Sequence, residues 1–106
     1  MSEEMHTTGP WFKHREGFST VYVEARIGGG LIQEVAACGP TNQGSEQQEA
    51  NARLIATAPE LLEACKLGLK GLEAAAFDPL SQQRNAHAYA AGVLRSAITK
   101  ATGQPA

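Results

Sequence analysis

The sequence predicts an α+β fold: an N-terminal antiparallel β-meander of two to three strands, packed by three C-terminal helices. Three observations predict it. Residues 18–27, FSTVYVEARI, alternate as a strand does. Three glycines, Gly28 to Gly30, separate that run from a second β-like run, LIQEVAAC, at 31–38. Beyond Gly44, apolar residues recur at helical spacing, punctuated by Pro59 and by Asp78-Pro79.

Size and composition agree with this. The chain has 106 residues, enough for a single domain over 1–106 with a modest core. We read 1–9 as a flexible lead-in, 10–38 as the meander and 45–102 as the helices. Hydrophobic residues make up 42% and charged residues 19%, a globular balance. The net charge of −2 weighs against a general duplex-DNA or RNA binder, which carries a basic face. Cys38 and Cys65 form no CxxC pair and have no histidine at metal spacing, so they read as two reduced, buried thiols, with a single disulfide as the alternative. The opening MSEEMHTTGP is acidic and polar, unlike a signal peptide. No apolar run approaches the roughly 20 residues that span a bilayer. These features predict a cytoplasmic protein with no membrane partner.

Gly9-Pro10 is a turn signal. Trp11 to Arg15 then forms a short strand, and Glu16-Gly17 a tight turn. Along 18–27, Phe18, Thr20, Tyr22, Glu24 and Arg26 point one way, and Ser19, Val21, Val23, Ala25 and Ile27 the other. The second set is the more apolar and should face the core. The glycine run tolerates the positive φ angles of a hairpin turn. A phosphate loop would need a helix to follow it, and LIQEVAAC reads as strand. Gly39-Pro40 ends the meander.

The polar loop GPTNQGS, 39–45, leads to Ser45, an N-cap with Gln48 completing a capping box. The first helix should run from about Glu46 to Thr57, with a stripe of Ala50, Leu54, Ile55 and Ala58. Proline inside a helix costs roughly 3 kcal/mol, and nothing in its first turn. Pro59 therefore begins a second helix after a break at Thr57-Ala58; a sharp kink in one helix is the alternative. Leu61, Leu62, Cys65, Leu69 and Leu72 make the next stripe, which fades by Ala76. Asp78 as cap and Pro79 as first turn start a third helix, about Pro79 to Thr102. Its stripe is Ala86, Ala90, Val93, Leu94, Ala97, Ile98 and Ala101, and Gly103 closes it.

Three segments carry a resemblance. HTTGPW at His6–Trp11 and ANARLIATAPELLEA at Ala50–Ala64 resemble small accessory proteins of tailed phages and prophages. There the opening is similar to H-T-P-G-P-W and the middle to A-N-A-x-L-I-A-x-A-P-E-L-L-E-A. LRSAITKATG, Leu94–Gly103, is similar to the usual ending. Thr8 stands where proline is commoner. The resemblance implies an accessory phage gene working in the host bacterial cell. Such genes often counter host defence, by binding a defence protein or by sequestering a nucleotide immune signal.

The residues supply candidates for that chemistry. Trp11, Phe12, Lys13, His14 and Arg15, with His6, combine rings that stack on a base with cations that pair with phosphate. The bland alternative packs Trp11 into the core and leaves His14 and Arg15 solvated. Tyr22, Glu24 and Arg26 share one strand face, which serves as a ligand floor, a dimer interface or simply a wet sheet face. Asn51 and Arg53 flank the first helix's stripe. Arg84 and His87, an i, i+3 pair, sit where they could bind phosphates across an oligomer interface. The candidate ligand-binding set is Trp11, His14, Arg15, Tyr22, Arg26, Asn51, Arg84 and His87.

There is no nucleophile motif, and three scattered histidines make neither HExxH nor a metal cluster. The sequence reads as a non-enzyme needing no cofactor. The leading expectation is sequestration of a cyclic nucleotide or an ADP-ribose-type small molecule. The alternative is an inhibitor of a host defence protein, such as a nuclease or effector. A DNA-associated regulator is disfavoured by charge. The unpaired edges of a small sheet favour a homo-oligomer.

Overall fold

Alternation puts Val21, Val23 and Ala25 on one face of the central strand, and all three are fully buried. In the computed structural model, which describes residues 5–78 and 82–106, the strands are β1 (Trp11–Glu16), β2 (Thr20–Ile27) and β3 (Leu31–Cys38). They form one antiparallel sheet in the order β1-β2-β3. The helices that follow are α1 (Ser45–Ala56), α2 (Ala58–Ala76) and α3 (Arg84–Thr102). The α+β architecture is the one the sequence predicts.

The glycine run makes the β2–β3 turn. Gly29 and Gly30 have φ of 77° and 76°, a region that side chains resist. Val23 pairs with Ala36 while Glu24 pairs with Glu34, so Val35 is the extra residue of a β-bulge.

The described residues divide into two compact units, His6–Glu60 and Leu61–Ala106, the latter taking in Met5. In the first, α1 lies on the sheet. Val21, Val23 and Ala52 form the core, with Trp11, Val35, Ala36, Cys38, Ile55 and Ala56 packed round it. The chain before β1 is held too: Trp11 Nε1 donates to the Thr7 carbonyl at 3.1 Å, and the His6 ring meets Trp11 edge-on at 6.3 Å.

Two expectations for α1 are corrected. Its buried face is Gln48, Ala52, Ile55 and Ala56, while Ala50 is exposed and Leu54 is 65% exposed. The sheet decides which face turns inward, and a buried glutamine disguises that face in the sequence. The cap is Gly44, at φ 90°, with no side-chain cap bond. Ser45 lies inside the helix, and Gln48 is used elsewhere.

The proline corner is a break at one residue. Thr57 caps α1, its N–H bonding back to Arg53 and Leu54 carbonyls. Pro59 is then the second residue of α2, where its missing N–H costs no helix bond.

In the second unit, α2 and α3 pack through Leu69, Ala91 and Ile98, bordered by Leu62, Cys65, Leu72 and Leu94. Arg95 Nη2 donates to Glu73 Oε2 at 2.6 Å between them. From the expected α3 stripe, Leu94 and Ile98 turn inward, whereas Ala86, Val93, Ala97 and Ala101 are exposed. Leu61 of the expected α2 stripe is exposed as well. α3 begins at Arg84 after Gln83, so Asp78 is not its cap; Pro79 lies outside the described residues. Cys38 and Cys65 are free, and half-buried rather than buried, because each borders its unit's core cluster instead of lying within it. No described helix is long and apolar enough to cross a membrane.

Candidate functional site

Alternation along β1 sends its functional side chains to opposite faces. Trp11, Lys13 and Arg15 lie opposite Ala25, Val23 and Val21, on the α1 side. Lys13 Nζ donates to Glu49 Oε1 at 2.9 Å, and Arg15 Nε to Glu49 Oε2 at 2.8 Å. Arg15 Nη2 donates to Gln48 Oε1 at 2.9 Å. Gln48 Nε2 in turn donates to the Ser19 and Cys38 carbonyls, both at 2.8 Å. Hydrogen bonds from Lys13 and then Arg15 hold the Glu49 carboxyl below its usual range, against a smaller opposing effect of burial. Trp11 and Arg15 are thus occupied within the unit.

The other face carries Phe12, His14, Tyr22, Glu24, Arg26, Ile32 and Glu34. His14 sits directly opposite Tyr22, Phe12 opposite Glu24, and Arg26 opposite Ile32. The Arg26 guanidinium lies over the Phe12 ring, 5.2 Å from its centroid. His14 Nε2 contacts Glu16 Oε2 at 2.8 Å. Glu24 and Glu34 are opposed across β2 and β3. Neither has a hydrogen bond or ion pair among the described residues, and like charges so placed repel. No element of this unit lies over the face.

Of the eight candidates, this face brings together His14, Tyr22 and Arg26. Trp11 and Arg15 lie on the opposite side of the sheet, and Asn51 is exposed on α1. Arg84 and His87 belong to α3, in the other unit. Arg84 is exposed, and His87 is half-buried with its Nδ1 shut from solvent and without a hydrogen bond among the described residues. Phe12 was missing from the set, although its place between Trp11 and Lys13 gives it the parity of His14. Gln48 and Glu49 gave no such signal, because their partners come from distant strands.

Chemically the face is a stacking surface. Two aromatic rings, an imidazole and a ring-supported guanidinium suit a flat, electron-rich ligand. The two carboxylates accept N–H or O–H donors. Among the described residues no group of three metal-binding side chains is gathered.

Residues 1–105 match the family model described as Salmonella phage P22 protein Y8K6. No curated protein and no solved structure matches the chain.

Proposed function

This chain belongs to the Salmonella phage P22 protein Y8K6 family, and from that premise we propose that it is an accessory counter-defence protein that binds and sequesters a nucleotide-derived immune signal of the host. It works without catalysis, by occupancy. One observation carries the reading: His14, Tyr22 and Arg26 share the sheet face that α1 leaves uncovered, with Arg26 stacked on Phe12. Base stacking on open sheet aromatics is a general way to hold nucleotides.

A thermal-shift screen tests it, using cyclic di- and trinucleotides, ADP-ribose derivatives and common nucleotides. A ligand at a hundred times its Kd stabilises the fold by about 2.7 kcal/mol. The reading expects a selective shift that Tyr22→Ala or Arg26→Ala removes. No shift with any probe overturns it.

A second reading, direct inhibition of a host defence protein, is favoured by Phe18. This ring is fully exposed at the β1–β2 turn, where an aromatic anchor suits a partner's pocket. Loss of host-protein capture in Phe18→Ser, with no nucleotide shift in the parent, would select this reading.

A further inference from the structure

α2 and α3 each carry two apolar seams, and only one of them is filled. The filled seam joins the helices to each other: Leu62, Cys65, Leu69 and Leu72 of α2 against Ala91, Leu94 and Ile98 of α3. The open seam is displaced from it by one residue. In α2 it is Leu61, Ala64, Gly68 and Gly71, each just before a filled position, and all four are exposed. In α3 it is Ala90, Val93 and Ala97, again each just before a filled position. Spacings of three and four keep each seam on one side of its helix. Consecutive helices joined by residues 77–83 run antiparallel. The same shift along the chain on two antiparallel helices points to the same side of the pair. The ion pair of Glu73 and Arg95 marks the other side, since both residues follow a filled position, Leu72 and Leu94. The hairpin thus has a charged side and a side whose seams hold no charge, where Leu61 is 45% and Val93 53% exposed. Helices with two adjacent seams are the parts of a four-helix bundle, in which each helix has two neighbours.

We infer that the α2–α3 hairpin pairs with the hairpin of a second copy to make a four-helix bundle. The core of this unit is Leu69, Ala91 and Ile98 among the described residues, and its cysteine, Cys65, is free. A unit so small needs a staple or a partner. The open side also fits itself. A Cβ on Gly68 would lie 3.5 Å from Leu94 Cδ1, so Gly68 stands level with Leu94 and its neighbour Val93. About a two-fold axis parallel to the helices, α2 of each copy lies antiparallel on α3 of the other with heights unchanged. Val93 of each copy then enters the notch that Gly68 and Gly71 leave in the other, a knob in a hole.

The area suffices. Helices of 19 residues are about 28 Å long, and two side by side are about 20 Å wide. The pair therefore buries about 1,100 Å², above the roughly 1,000 Å² that a biological interface needs. The contact lies wholly within this unit and stands whether or not the sheet face holds a nucleotide.

Sedimentation equilibrium on the full chain tests the inference. The parent should show the mass of two copies at low micromolar concentration. Gly71→Val fills the notch. A Cβ there meets nothing within 4 Å, so the fold should persist while self-association weakens by about tenfold or more. Adding Val93→Ala to Gly71→Val exchanges knob and notch and should recover most of that loss. Gly92→Val is the control. This glycine follows Ala91, on the side of Glu73 and Arg95, and a Cβ on it also meets nothing within 4 Å; association should be unchanged. Circular dichroism confirms that each variant is folded, and Ala97→Glu, at an exposed site, gives the same loss should Gly71→Val not fold. A parent that stays monomeric at high micromolar concentration overturns the inference. So does a pair that Gly71→Val and Ala97→Glu leave intact, which would assign self-association to another surface such as a sheet edge. A double variant no tighter than Gly71→Val overturns it too.

Discussion

Gly9 lies directly against Pro59: a Cβ built on Gly9 would fall 2.8 Å from Pro59 Cβ and 3.1 Å from its Cγ. Two of the three stretches that carry the family resemblance therefore meet in space. Gly9 of the opening meets Pro59 of the middle segment, and Trp11 of the opening borders the same core cluster that holds Ala52 and that Ile55 and Ala56 pack against. The corner at Thr57 has a job. It brings Pro59 to where the chain enters β1, and a glycine is the residue that leaves it room. These two motifs build the first unit.

Gly9→Ala should destabilise the protein by about 1–3 kcal/mol, the usual cost of forcing a methyl into a filled site. Pro59→Gly in the same chain should recover part of that loss, since it removes both the Cβ and the Cγ that the new methyl meets. Urea denaturation of the two single variants and the double variant measures the coupling. Strictly additive losses would mean the contact is loose.

Gln48 ties three elements together through its amide. Gln48→Leu keeps the volume but leaves the Ser19 and Cys38 carbonyls and an Arg15 N–H without their partner. Each buried group left unmade costs about 1–3 kcal/mol, and some will find water. We expect a total loss of roughly 2–4 kcal/mol in denaturant midpoints. Gln47→Leu, one residue earlier on the exposed side, should change stability by less than about 0.5 kcal/mol.

Glu49 makes stability depend on acid pH. Its folded-state affinity for a proton is lowered from an ordinary value of 4.5 by the Lys13 and Arg15 hydrogen bonds. The unfolded chain then binds the proton more readily than the folded one, so this contribution is complete above the unfolded value and is lost as pH falls through the folded value. Thermal melts from pH 7 down to pH 3 should show the parent losing stability below about that ordinary value. In Glu49→Gln, this part of the slope should be absent. An unchanged slope would assign the acid sensitivity to other carboxyls.

Trp11 and Tyr22 should respond oppositely to truncation. Trp11→Ala removes a ring packed in the core and should cost roughly 2–4 kcal/mol. Tyr22→Ala, on the uncovered face, should cost under about 1 kcal/mol in the monomer. Melting temperatures at low protein concentration distinguish them. Tyr22→Ala is consequently the cleaner variant for ligand studies, because lost binding in Trp11→Ala would be confounded with lost folding.

Local physics made much of the fold legible. Alternation over 18–27 turned Ser19, Val21, Val23, Ala25 and Ile27 inward, of which Val21, Val23 and Ala25 are buried while Ser19 and Ile27, at the two ends of the run, are exposed; the glycine run marked the turn, because both signals depend only on backbone geometry. The helix stripes were harder to phase. In α1 the apolar Leu54 faces solvent while Gln48 is buried, and in α3 Ala91 is inside while Val93 is outside. Alanine-rich helices offer several apolar arcs of similar strength, and the choice falls to whatever surface they meet. Of the candidate ligand residues, His14, Tyr22 and Arg26 were separable from Trp11 and Arg15 by strand parity alone. The engagement of Arg15 was not, since Glu49 lies 34 residues away.

The sequence by itself determined the order of elements, the β2–β3 turn, the break before Pro59 and the inward face of β2, because these follow from φ preferences, proline's missing amide and the two-residue period of a strand; the start of α3 at Arg84 was not among them. Tertiary structure decided which helix faces are buried, that Arg15 and Lys13 are spent on Glu49, and that one aromatic sheet face is left without a cover in its own unit. Those outcomes depend on long-range pairings, and the free energy of a contact between distant residues is written in neither of them alone.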